Sequence, residues 1–162
     1  MSYPPVRYTG SFGQHSAVPR SADAPPDLAI GTTLVRYLAT AAVTGGDYGL
    51  YRWDTAGERT GPDPHFHRTI SEAFFVLSGA MRLYDGRRWF DAGPGDFLHV
   101  PPGGVHAFRN ESGEPASMLL LFTPGAPREA YFEALAEVAA SGRELDEQER
   151  GELLRRHDQF MV

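Results

Sequence analysis

His65 and His67 are separated by one residue, and Glu72 follows after four more. On an extended strand, residues i and i+2 face the same side, so the two imidazoles stand together. Adjacent neutral imidazole nitrogens suit a borderline divalent metal. Glu72 opens an apolar run, Ala73–Leu77. A carboxylate at the head of a buried strand is costly unless something pairs it, and a cation would do so. A third histidine, His106, comes just after the turn Pro101-Pro102-Gly103-Gly104. If the hairpins close into a barrel, His106 can face His65 and His67 from the opposite wall. The remaining histidines, His15, His99 and His157, read as structural.

These residues need strands to hold them, and residues 28–123 read as all-β. Thr32–Thr40 is rich in Thr, Leu, Val and Tyr, residues that favour strands. Asp47–Asp54 alternates, with Tyr48, Leu50 and Arg52 on one face and Gly49, Tyr51 and Trp53 on the other. Short runs follow at Pro64–His67, Glu72–Leu77, Met81–Asp85, Arg87–Asp91, Asp96–Val100, Val105–Asn110 and Ala116–Thr123. Turns rich in Gly, Pro and Asp separate them, a pattern that points to a sandwich or barrel. Residues 1–27 are polar and Pro-rich and read as an extended arm. Its aromatics Tyr3, Tyr8 and Phe12 suit packing on the body or on a partner chain. After residue 124 the period changes. Tyr131, Phe132, Leu135, Val138 and Ala139 have helical spacing, with Pro127 at the start and Gly142 as a stop. Asp146 and Glu149 form a capping box. Leu153, Leu154, His157, Phe160 and Met161 then form a second apolar stripe. The expected division is an arm (1–27), a barrel (28–124) and a helical extension (125–162).

Composition narrows the chemistry. The 162 residues are 41% apolar and 12% aromatic, enough for the core of one domain. There is no Cys, which excludes disulfides, thiolate metal sites and a cysteine nucleophile. All 15 cations are Arg, so a lysine Schiff base and a Walker lysine are excluded. A net charge of −6 argues against nucleic acid as a partner. No apolar run approaches the ~20 residues of a membrane span. The start lacks a secretory h-region, so a cytoplasmic location is expected.

The two motifs resemble those of the cupins. The first cupin motif is Gly, His-x-His, three or four residues, Glu, six residues, Gly. This chain has His65, His67, Glu72 and Gly79 at that spacing. The second motif is Gly, five residues, Pro-x-Gly, two residues, His, three residues, Asn. Gly95, Pro101, Gly103, His106 and Asn110 fill it. The leading Gly of the first motif falls at Arg59, with Gly57 and Gly61 on either side, so the loop entering the strand departs from the pattern. The resemblance covers roughly residues 45–123. It implies a jelly-roll β-barrel holding one metal on His65, His67, Glu72 and His106. The metal would be a divalent transition ion: Fe, Mn, Ni, Co, Cu or Zn. It also implies a homodimer.

Alternation then suggests the lining. If Glu72 and His106 point inward, so do Phe74, Val76 and Phe108, with Met81, Leu83, Tyr48, Leu50, Met118 and Leu120 as further candidates. Such walls would be apolar, with few charges beyond the metal. Over residues 30–140 the chain resembles small bacterial quercetinases, from Glu72–Leu83 through Pro94–Phe97 to Thr123-Pro124-Gly125 and the helix after it. That likeness implies a metal-dependent dioxygenase acting with O2 on a flavonol-like or other enolic aromatic substrate. Glu72 would be its catalytic base. A non-oxidative cyclase or isomerase, and a barrel that only binds a small molecule, are the alternatives.

Overall fold

The computed structural model describes residues 2–162. Eleven strands and three helices follow the chain as β1 (Leu28–Ile30), β2 (Thr33–Ala39), α1 (Ala41–Thr44), β3 (Gly49–Thr55), β4 (His65–Phe66), β5 (Ser71–Ser78), β6 (Met81–Tyr84), β7 (Trp89–Ala92), β8 (Phe97–Val100), β9 (Ala107–Arg109), β10 (Ala116–Thr123), α2 (Arg128–Ser141), α3 (Glu147–Arg156) and β11 (Phe160–Met161). The architecture is an all-β jelly roll. A six-stranded sheet runs β1-β2-β3-β10-β5-β8, a three-stranded sheet runs β7-β6-β9, and β11 pairs with β4. Every pairing is antiparallel.

Alternation along the strands makes the core. In β10 the buried Met118 and Leu120 lie opposite Val76 and Phe74 of β5 and opposite Trp53 and Tyr51 of β3. Met81, Leu83 and Phe108 enter from the smaller sheet. The Phe108 ring meets Trp53 and Phe74 at centroid distances of 5.7 and 5.5 Å, which ties the two sheets together. Each such buried side chain contributes about 1.5–3 kcal/mol of transfer free energy. Gly61 enters the site strand at φ +127°, and a Cβ there would lie 1.9 Å from the Phe108 carbonyl oxygen. The glycine that this close approach requires is therefore Gly61, two residues past the position where the first motif expects one.

Three expectations are corrected. Tyr48 does not face the interior. It precedes β3 and is 41% exposed, whereas Gly49, Tyr51, Trp53 and Thr55 are the buried face. Both faces of this strand carry aromatics, and Gly49 shows no side chain by which the inner face could be recognised. Phe160 and Met161 do not extend the helical stripe. α3 ends at Arg156 and the chain turns back as β11, with Phe160 opposite Phe66 and Met161 opposite His65. Of the two placements expected for the arm's Tyr3 and Phe12, packing on the body is not found, since both stay exposed on this chain. Arg7 pairs with Asp47 of the body, and at the end of the arm the Asp27 N–H donates to the Val35 carbonyl while its carboxylate accepts from the Tyr37 N–H.

The helices end where their termini allow. Gly142 caps α2 in the left-handed region at φ 65°. The Asp146 carboxylate accepts from the Glu149 N–H at 2.8 Å, and Glu149 accepts from the Asp146 N–H at 3.1 Å. Among the described residues no helix is long and apolar enough to cross a membrane.

Candidate metal centre

Four side chains from separate parts of the barrel converge inside it. His65 lies on β4, and His67 immediately follows that strand; Glu72 is on β5, and His106 precedes β9. His65 and His106 are joined directly, each donating its main-chain N–H to the other's carbonyl, at 3.0 and 2.9 Å. All four side chains are buried, and their candidate ligand atoms lie within 4.8 Å of one another.

The tautomers are set from outside. His65 Nδ1 lies 2.9 Å from the Asp63 carbonyl, His67 Nδ1 2.6 Å from that of Asp158, and His106 Nδ1 2.9 Å from that of Gly104. A carbonyl only accepts, so each Nδ1 carries the proton and each Nε2 keeps a lone pair. Glu72 Oε2 sits 2.9 Å from His106 Nε2 and 3.2 Å from His67 Nε2. Lone pairs facing a carboxylate repel unless a cation or proton lies among them. This donor set of three nitrogens and one carboxylate oxygen, without sulfur, fits a divalent transition ion.

Without an ion, the electrostatics favour a proton between His106 and Glu72 in its place. Burial pushes the His65 imidazole down to about 3, so it is neutral at pH 7. Burial raises the Glu72 carboxyl, but its contacts with His106 and His67 outweigh that and hold it below the usual carboxylate range. Burial lowers His106, and the Glu72 carboxylate more than reverses this.

Beside the ligands lies a small cavity of about 50 Å³, whose walls include His65, Glu72, Phe108, Leu120, Phe122 and Phe132. Of the lining candidates from sequence, Phe108 and Leu120 border it. Phe74 packs against His106 at 5.8 Å between ring centroids. Val76 and Met118 are fully buried in the core, and Tyr48 lies outside. Sequence reasoning missed Trp53 and, from α2 and the tail, Arg128, Tyr131 and Gln159. Arg128 is 5% exposed and is one buried charge in walls that were expected to carry few. The one visible signal was its place just after Pro127, where an arginine would otherwise read as solvated. Asn110 of the second motif is structural. Its amide donates to Thr55 Oγ1 and the Glu114 carbonyl, and its oxygen accepts from Ser112.

Comparison with known proteins supports the same reading. Residues 54–122 match the cupin domain model. A stretch of 73 residues is 34% identical to the quercetin 2,3-dioxygenase of Bacillus subtilis, covering 45% of this chain and 21% of that protein. An uncharacterised Aquifex aeolicus protein is 35% identical over 66 residues, 41% of this chain and 54% of that one. The chain thus matches about a fifth and about half of the length of these relatives. Among solved structures, a predicted oxalate decarboxylase from Thermotoga maritima superposes with a TM-score of 0.60 at 16% identity, over 67% of this chain and 99% of that one; this likeness concerns the fold. Motifs, architecture and match together make residues 54–122 of this chain a cupin domain.

Proposed function

We propose that this chain is a metal-dependent dioxygenase that cleaves a flavonol-like or other enolic aromatic substrate with O2. The observation that carries the metal is the buried cluster of His65, His67, Glu72 and His106, with the Nε2 atoms of His67 and His106 against the Glu72 carboxylate. The substrate class draws its support from the local match to a quercetin dioxygenase and from the aromatic walls of the cavity. His65, His67, Glu72 and His106 would hold the ion, which supplies Lewis acidity and, if redox-active, an electron route between substrate and O2.

The residues do the rest. Glu72 borders the cavity and is held ionised, so it can take the proton of an enolic hydroxyl. The three imidazoles, fixed by carbonyls at Nδ1, keep their geometry while that proton moves. Phe108, Leu120, Phe122 and Phe132 exclude water from the reacting atoms. We also read the chain as a homodimer, and a monodisperse monomer in light scattering would remove that reading.

The test is quercetin turnover in air by apo-protein reconstituted in turn with Fe(II), Mn(II), Co(II), Ni(II) and Cu(II), with CO measured in the headspace. CO release by a metal-loaded form is expected. Turnover that proceeds equally without O2 would instead identify a cyclase or isomerase. No turnover with metal bound would leave a binding protein.

A further inference from the structure

Two residues that line the inner cavity carry buried donors without partners. The Arg128 guanidinium donates through Nη1 to the His157 carbonyl at 2.8 Å and reaches Gln159 Oε1 through Nη2 at 3.5 Å. It stacks over the rings of Tyr131, Phe122 and Phe132 at 4.5, 5.0 and 5.6 Å. Its Nε–H has no acceptor, and neither does the Nε1–H of Trp53. Both residues border the cavity that Glu72 and His65 also line. A buried donor without a partner is costly, and two around one space call for an occupant that brings acceptors.

Charge points the same way. Glu72 is the single carboxylate lining the cavity. Asp158 also acts on Arg128, but its carboxylate is occupied by Arg68 and Thr69. A divalent ion with Glu72, Arg128 and three neutral imidazoles leaves a net excess of about two positive charges in an apolar enclosure, which an anion would offset.

Size limits what enters. About 50 Å³ admits a head of a few heavy atoms, and not a flavonol-sized body, which needs several hundred. A second groove of about 540 Å³ lies between the barrel mouth and the α2–α3 hairpin, with Ile30, Val138, Leu145 and Leu153 among its apolar walls. Trp53, Pro62, Tyr131, Leu135 and Gln159 line both spaces, so those five side chains form a shared collar.

We propose that the inner cavity takes the planar anionic oxygen head of an amphipathic aromatic substrate, recognised by Arg128 Nε–H and Trp53 Nε1–H, while the outer groove takes its apolar body. The head is a carboxylate or a deprotonated hydroxyketone. This rests on the reading of the four ligands as a metal centre.

The test is calorimetric binding to the full chain loaded with Zn(II), which has no redox chemistry to consume the probe. Cinnamate, already an anion, and 3-hydroxyflavone, which becomes one when its hydroxyl ionises on binding, are titrated beside their neutral counterparts, cinnamamide and flavone. At least one anionic probe is expected to bind at least tenfold tighter than its counterpart, and which one does so identifies the head. Trp53→Phe keeps an aromatic ring and removes one donor; it should weaken that probe about tenfold and leave the neutral analogue unchanged. Arg128→Met should weaken it more. Because Arg128 also anchors the tail, Trp53→Phe carries the test if Arg128→Met fails to fold. Equal binding of charged and neutral probes, unchanged affinity in Trp53→Phe, or no probe binding to protein holding one Zn(II) overturns the proposal alone. Failure to hold Zn(II) overturns the metal centre and this proposal with it.

Discussion

The carbonyl of Asp158 accepts the Nδ1–H of His67 at 2.6 Å, across 91 residues of chain. The same residue, at φ 56°, turns its carboxylate onto the N–H of Arg68 and the N–H and hydroxyl of Thr69, at 3.1, 2.8 and 2.6 Å. Asp158 therefore holds one ligand and the loop leading to Glu72. Beyond it, β11 pairs with β4, and the Val162 N–H reaches the Pro64 carbonyl at 3.1 Å. The C-terminal tail is part of the site's support.

Asp158→Ala keeps the carbonyl that orients His67 but removes the carboxylate that pins the Arg68–Thr69 loop, so metal binding should weaken by less than about tenfold, below the usual loss of an outer partner of a ligand. Competition titration with a chromophoric chelator measures this. Unchanged affinity would show that the loop leading to Glu72 holds its place without the carboxylate.

Glu72→Gln keeps the shape and one acceptor oxygen but cannot take a proton. Turnover should fall at least about a hundredfold, while metal affinity falls less because three imidazoles remain. Steady-state rates at measured metal occupancy separate the two, and rates near those of the wild type would end the base role.

The metal-free protein should lose stability as pH falls from about 6.5 towards 3. In that window an unfolded His65 takes a proton that the buried side chain refuses, so the unfolded state binds more protons and gains. His106 acts in the opposite sense. Its raised value gives stability that is present below 6.5 and lost as pH rises through the folded value. Urea midpoints at pH 7.5 and 4.5 should therefore converge in His65→Gln and spread further apart in His106→Gln.

Gly61→Ala should cost at least about 3 kcal/mol, or prevent folding, because the added carbon meets the Phe108 carbonyl oxygen at a φ of +127°. Arg59→Gly, which restores the leading glycine of the motif, should not rescue it. Thermal melts of the single and double variants decide this.

What could be read in advance was local. The strands β2, β5 and β10, the stop at Gly142 and the Asp146–Glu149 box each depend on residues within a few positions of one another. The four candidate ligands were legible for the same reason, since strand parity places His65 beside His67 and the two motifs repeat a fixed spacing. The inner face of β3 was not legible, because Tyr48 and Tyr51 are equally plausible until pairing with β10 sets Trp53 opposite Met118.

By itself, then, the sequence determined the jelly-roll architecture, the residues able to ligate a metal, and the exclusion of thiolate and lysine chemistry. Only the tertiary structure decided the surroundings of that site. Arg128, Trp53 and Asp158 reach it through contacts between residues far apart in the chain, and no period or spacing encodes such contacts. A buried guanidinium and a solvated one are the same letter until packing removes the water.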